Sequence, residues 1–171
     1  MPQPPNANLS NRAFGNVPEP PFEKENLEEY ELAELAARAA ELLAPGDVIV
    51  LRGEVGAGKT TFVRAAARSL GIKETVTSPT YQFARGYEGR AGGRPVTVNH
   101  LDLYRLEGLE ARDVLELDEH LGPGSVTFIE WAEPALDLLK APSIVEILHR
   151  SPTTRRLEIS GPLAARLSNT C

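Results

Sequence analysis

The 171-residue sequence predicts a single α/β domain with a mixed sheet that includes antiparallel hairpins. Three observations carry that prediction. Gly53-Glu54-Val55-Gly56-Ala57-Gly58-Lys59-Thr60 has the spacing G-x-x-x-x-G-K-[ST] of a phosphate-binding P-loop. The run Val48-Ile49-Val50-Leu51 before it reads as a buried strand, and Lys59 to Leu70 after it as a helix. Two further strand pairs, Tyr81 to Tyr87 with Pro95 to Leu101 and Ser143 to His149 with Arg156 to Ser160, are separated by turn-forming residues and read as hairpins. A P-loop in strand–loop–helix order with added hairpins is the pattern of a P-loop NTPase domain. An incidental Gly-rich turn would not come with both flanks correct.

Residues 1 to about 21 are rich in Pro and Asn and cannot bury enough apolar surface to offset their ordering entropy. They are expected to form a flexible tail, with the domain spanning 22–171. A ligand for a proline-binding groove is the sharper alternative, but no other feature supports it. Asn26 followed by Glu29 resembles a capping box opening a helix from Leu27 to Ala44, with Leu27, Tyr30, Leu35, Ala39 and Leu42 along one side. Pro45-Gly46-Asp47 ends it and turns into the P-loop strand. In the helix after the loop, Phe62, Val63, Ala66, Ala67 and Leu70 keep a helical period, and Gly71 fits a left-handed C-cap with Ile72 as its apolar contact.

Thr75 to Thr80 is an extended polar stretch in which Pro79 disfavours helix at Ser78. Ser78 and Thr80 are candidate switch-loop hydroxyls, with an ordinary self-bonded turn as the alternative. Glu88-Gly89-Arg90-Ala91-Gly92-Gly93-Arg94 reads as a mobile hairpin loop. The second strand of that pair runs into Val98-Asn99-His100-Leu101-Asp102, so Asp102 stands at a strand end, where open α/β sheets gather ligand-binding groups. Leu106 to Leu121 reads as helical, its acids forming a solvated face. Val126-Thr127-Phe128-Ile129-Glu130-Trp131 is an apolar strand closing on a carboxylate, which is Walker-B-like with Glu in place of Asp. Trp131, the one tryptophan, reads first as a core residue. His100, His120 and His149 have no spacing that marks a metal site and read as structural.

The loop's chemistry assigns roles. Gly53, Gly56 and Gly58 let backbone N–H groups curl inward, with Glu54, Val55 and Ala57 completing the cradle. The helix N-terminus adds its positive dipole end. Lys59 supplies a charge to the β- and γ-phosphates, Thr60 a hydroxyl to Mg²⁺, and Thr61 a further hydroxyl. The expected ligand is a nucleoside triphosphate. A net charge of −6 argues against a protein-wide basic face for nucleic acid. One cysteine, Cys171, excludes an intramolecular disulfide and points to a reducing compartment. No signal-peptide core or membrane-length apolar run is present, so a cytoplasmic, membrane-free protein is expected.

Taken in order, GEVGAGKTT, TSPTY, HLDLYRL and FIEWAE resemble the bacterial tRNA threonylcarbamoyladenosine biosynthesis TsaE (YjeE) family, over about Leu27 to Ile159. The resemblance implies a small ATPase with a mixed sheet that works with TsaB and TsaD on tRNA, and the acidic charge balance points to tRNA contact mainly through those partners. It implies ATP and Mg²⁺ as cofactors. It implies functional positions at Lys59, Thr60, Asp102, Glu130 and Trp131, with Thr60 and Glu130 on magnesium. More loosely, it implies adenine packed between the segment entering the first helix and the C-terminal hairpin near Thr154 and Arg155. The proline-rich tail and the Gly-rich hairpin depart from the compact family pattern. Two other classes compete. A small-molecule kinase needs an acceptor pocket and an arginine-bearing lid, which only Arg105 or Arg90 with Arg94 mimic. A nucleotide-dependent binding module needs no meaningful hydrolysis. A GTPase is disfavoured because none of the four lysines lies in an Asn-Lys-x-Asp pattern.

Overall fold

A computed structural model describes residues 19–77, 83–104 and 111–170, the side chains of 111–115 excepted. The tail up to residue 18, Ser78 to Gln82, Arg105 to Glu110 and Cys171 lie outside the described residues. That sets aside the expectations for most of the tail, the Ser78/Thr80 loop, Arg105 and the start of the helix from Leu106.

Seven strands form one sheet in the order β1-β7-β6-β2-β5-β4-β3. They are β1 (Phe22–Leu27), β2 (Val48–Arg52), β3 (Ala84–Ala91), β4 (Arg94–Asp102), β5 (Ser125–Glu130), β6 (Ser143–His149) and β7 (Arg155–Ser160). The central strands β6, β2, β5 and β4 are parallel, and the antiparallel partners β7 and β3 flank them, with β1 on the outer edge of β7. The mixed sheet with hairpins at both ends is as the sequence predicts.

The helices cover both faces. α1 (Glu29–Ala40), α2 (Lys59–Ser69) and the C-terminal α4 (Pro162–Ser168) pack on one face against Ile49, Leu51, Val126, Phe128 and Val145. On the other face, Val50, Leu101 and Ile129 meet Leu117 of α3 (Ala111–His120) and Ala135 of a 3-10 helix (Glu133–Leu138). Alternation along a strand explains the sorting, since Ile49 and Leu51 point one way and Val50 the other. α2 is anchored by Phe62, Val63, Ala66 and Ala67, all about 1% exposed. Burying Phe62 alone contributes about 1.5–3 kcal/mol. The helix ends as expected: the Ile72 N–H donates to the Ala67 carbonyl at 3.1 Å, and Gly71 takes the left-handed conformation.

Three boundaries differ from the sequence reading. A strand, β1, occupies Phe22–Leu27, and the first helix runs over Glu29–Ala40 rather than Leu27 to Ala44. Its capping box uses Glu28 and Glu31, the Glu28 N–H donating to the Glu31 carboxylate at 2.8 Å. Asn26 instead sits at φ +55° inside the bulged strand. β1 reads FEKENL, is held by backbone pairing to β7, and half-buries only Phe22 and Leu27, so its pattern carries no strand period. The helix face also differs, with Leu32, Leu35, Ala36, Ala39 and Ala40 buried and Tyr30 60% exposed.

The expected mobile loop over Glu88 to Arg94 is mostly ladder. β3 continues to Ala91 and turns tightly through Gly92 and Gly93, both at positive φ, into β4. Gly89 is not a loop signal. A Cβ there would lie 2.9 Å from the Leu70 carbonyl oxygen, because the end of α2 lies against the strand and accepts the Arg90 N–H at 2.8 Å. The 3-10 helix and α4 are further elements that the sequence reading did not anticipate.

Candidate nucleotide site

β2 delivers the chain at Arg52 to the loop, and α2 takes it up at Lys59. Between them Gly53, Gly56 and Gly58 have φ of +146°, +77° and +117°, backbone conformations that L side chains rarely adopt. Gly53 has a second reason to be glycine, since an added Cβ would overlap the Ile147 carbonyl oxygen of β6. At Gly58 it would lie 2.7 Å from Leu32 Cδ2, where α1 crosses α2. Glu54 and Val55 form the outer lip, with Val55 85% exposed, while Ala57 is buried. The α2 N-terminus carries no acidic residue in its first turn, which leaves its positive dipole end open to an anion.

Lys59 is 8% exposed. Its ammonium donates to the Gly53 carbonyl at 2.5 Å and stands 4.3 Å from the centroid of the Trp131 ring. A buried cation is tolerated here because a carbonyl and an aromatic face replace water. Trp131 is therefore not a core residue. It takes φ +56°, directly after the last residue of β5, and packs edge-on against Tyr104 at 5.1 Å, with Tyr104 64% exposed. Thr60 follows Lys59 in the first turn of α2, and the Thr61 hydroxyl donates to Glu29 of α1 at 3.3 Å.

Asp102 and Glu130 are register neighbours at the C-terminal ends of β4 and β5, and Glu130 also pairs in register with Leu51 of β2. Strand alternation places both carboxylates on the α2 face, in step with Val96, Val98, Val126 and Phe128. Asp102 Oδ1 accepts the Tyr104 N–H at 3.0 Å. Glu130 is 3% exposed and faces His100, with Nε2 to Oε2 at 3.4 Å. Among the described residues no group of three or more His, Cys, Asp or Glu side chains forms a metal cage. Mg²⁺ bound beside a nucleotide keeps waters and takes one or two carboxylates together with substrate phosphates. A hydroxyl at Thr60 and a carboxylate at Glu130 are a donor set of that kind.

Beside the loop lies a cavity of 790 Å³, within the usual size of ligand pockets. Glu28, Glu29, Tyr30, Leu32 and Ala33 at the start of α1 form one wall. Pro152, Thr153 and Arg155 form the other, with Gly56 to Gly58 and Thr61 between them. The neighbouring carboxylates Glu31 and Glu28 hold the Tyr30 hydroxyl above its ordinary pKa. Arg155 Nε donates to the Ala57 carbonyl at 2.9 Å, tying the C-terminal hairpin to the P-loop. Thr154 lies apart from the lining and bonds Ser151 Oγ at 2.8 Å, closing the turn. The sequence reading thus located the hairpin but not Pro152 and Thr153, which carry no motif. His100, which the sequence reads as structural, is buried two positions before Asp102 on the same strand face.

Fold and site together define a single-domain α/β protein of the P-loop NTPase fold. Comparison with known proteins narrows this. A family model described as "Threonylcarbamoyl adenosine biosynthesis protein TsaE" matches residues 27–157, a span holding the loop, both strand-end carboxylates and Arg155. A tRNA threonylcarbamoyladenosine biosynthesis protein TsaE from Streptomyces coelicolor is 42% identical over 109 residues, 63% of this chain and 72% of that protein. The one from Treponema pallidum is 42% identical over 92 residues, 54% of this chain and 64% of that protein. The crystal structure of Bacillus subtilis YdiB matches with a TM-score of 0.72 at 25% identity, covering 88% of this chain and 96% of that one. The chain belongs to the TsaE family.

Proposed function

We propose that this chain is the ATP-binding and ATP-hydrolysing component of a tRNA threonylcarbamoyladenosine modification machinery, acting with TsaB and TsaD. The observation that carries the nucleotide reading is the continuity of the P-loop with the 790 Å³ cavity walled by α1 and the β6–β7 hairpin. The loop offers a phosphate cradle, and the cavity offers room for a base and ribose directly beside it. In this reading Lys59 moves from the Gly53 carbonyl to the phosphates. Thr60 and Glu130 hold Mg²⁺, whose part is to neutralise phosphate charge. Asp102 or Glu130 orients the attacking water. The wall at the start of α1 and the wall of Pro152, Thr153 and Arg155 hold the adenine. Family membership supports the pathway, and the names of the relatives support tRNA as the final substrate, reached through the partners given the −6 net charge. No helix among the described residues is long and apolar enough to cross a membrane, and a cytoplasmic location goes with this reading.

The test is ATP turnover and phosphate release by the chain alone, then with TsaB, TsaD and tRNA. Slow turnover alone that rises with the partners is expected. Phosphate transfer to a metabolite without partners would replace this reading with a kinase. Negligible hydrolysis in every combination would replace it with a binding module.

A further inference from the structure

Near the P-loop, one buried polar group is left without a role by the reading above. His100 is 1% exposed, and neither ring nitrogen has a hydrogen-bond partner among the described residues. An unbonded buried polar atom costs about 1–3 kcal/mol, so a second aliphatic residue would pack there more favourably than an idle imidazole. β4 alternation puts His100 on the same face as Asp102, and its Nε2 stands 3.4 Å from Glu130 Oε2. That is just beyond a formed hydrogen bond, and such contacts tighten when a site is loaded. Both groups are inside the protein, where a single donor fixes a carboxylate more firmly than it would in water.

We propose that His100 is the positioning residue for Glu130. Its Nε2–H donates to Oε2. One carboxylate oxygen is thereby held against β4, and the other stays available to the P-loop side. Glu130 is otherwise a three-torsion side chain whose two oxygens would be interchangeable. A metal or water contact through it would have to select one rotamer at each turnover. Outer hydrogen bonds of this kind are worth about 10–100-fold in metal affinity or activity. The inference rests on the reading of Glu130 as a magnesium or water-positioning group, so its test must separate the two.

Three variants of the full chain do so: His100→Leu, which fills the space without a donor; His100→Gln, whose amide N–H falls near the Nε2 position; and Glu130→Gln. Each is measured for melting temperature, for ATP affinity by calorimetry with and without Mg²⁺, and for turnover against Mg²⁺ concentration. The expected result is that His100→Leu melts like the wild type and binds metal-free ATP equally well. Its Mg²⁺ midpoint should rise about 10–100-fold, and His100→Gln should stay close to wild type. If both His100 variants keep the wild-type Mg²⁺ midpoint while Glu130→Gln shifts it, His100 is only filler and the inference is overturned. Equal losses in both His100 variants, with lowered melting temperature and weaker metal-free binding, would assign it to packing and overturn the inference too. A Glu130→Gln variant with unchanged Mg²⁺ dependence would instead overturn the reading of Glu130, and the role of His100 with it.

Discussion

Gly53→Ala tests whether the P-loop is held in place by steric fit or only by backbone torsion. At φ +146° an L-residue is in a region used almost only by glycine, at a cost of about 1–3 kcal/mol. The added methyl would also overlap the Ile147 carbonyl oxygen and lie 3.2 Å from Ala57 Cβ. Neither neighbour can step aside cheaply, because Ile147 is backbone in β6, paired to β2 and β7, and Ala57 is buried. Overpacking of this kind adds about 1–3 kcal/mol. The total of about 2–6 kcal/mol converts to a melting shift of roughly 4–24 °C for a chain of this size. Gly56→Ala is the control. It has φ +77° and nothing within 4 Å of the added Cβ, so it meets torsional strain alone, about 1–2 kcal/mol. Scanning calorimetry of both variants, with ATP titrations, should show Gly53→Ala clearly the less stable and the weaker binder. Equal melting temperatures, with ATP affinity retained in Gly53→Ala, would refute the argument that β6 sets the floor of the loop.

Four further outcomes follow from the site. Lys59→Ala should lower turnover about 10²–10³-fold while the melting temperature moves by only a few degrees, since the ammonium touches a carbonyl and a ring rather than a packed core. A folded variant with normal turnover would remove Lys59 from the chemistry. Glu130→Gln should depress hydrolysis about 10–100-fold while changing nucleotide affinity much less, as read by single-turnover assays beside calorimetry. Trp131→Ala should blunt the acceleration by TsaB and TsaD more than it weakens ATP binding, because the ring spans Lys59 and the exposed Tyr104; equal acceleration in both proteins would exclude that role. Glu25 has its carboxyl pKa lowered, chiefly by the hydrogen bond from Arg150. Its stabilisation is therefore present above the usual carboxylate range and lost as pH falls through the folded value. Glu25→Gln should melt below wild type at neutral pH and converge with it in acid.

What was legible in the sequence is what local chemistry dictates. The P-loop, its strand and its helix are fixed by glycine torsions and apolar periods that need no tertiary context, and the structure follows them closely. The strand-end positions of Asp102 and Glu130 were equally readable, since each acid directly follows an apolar strand run. β1 was hidden because an edge strand needs only backbone donors and acceptors, and Glu23, Lys24 and Glu25 face solvent or salt bridges rather than a core. The loop of the β3–β4 hairpin reads too long in the sequence for a different reason. Gly89 is there to admit a neighbour, a purpose that composition cannot distinguish from a loop. The approach of His100 to Glu130 is not legible in the sequence, since the two lie about thirty positions apart and only the parallel register of β4 and β5 brings them together.

The least legible strand is also what builds the nucleotide wall. β1 is pinned to β7 by its ladder and by the ion pairs of Arg156 with Glu23 and Glu25, while Arg150 at the hairpin tip holds Glu25. Exposed pairs of this kind are each worth about 0–1 kcal/mol, so as a stability device they are weak. Their placement matters more than their sum. One residue after β1 comes Glu28, the N-cap of α1, and the first turn of α1 is the cavity's near wall. The hairpin that carries Arg150 continues through Pro152 and Thr153 to Arg155, which form the far wall and bond the P-loop. The two walls are thus joined at the surface through β1 and the hairpin as well as through the core beneath them. Loosening the edge strand should widen the cavity before it unfolds the domain, so Arg156→Ala is expected to weaken ATP binding more than its small change in melting temperature implies.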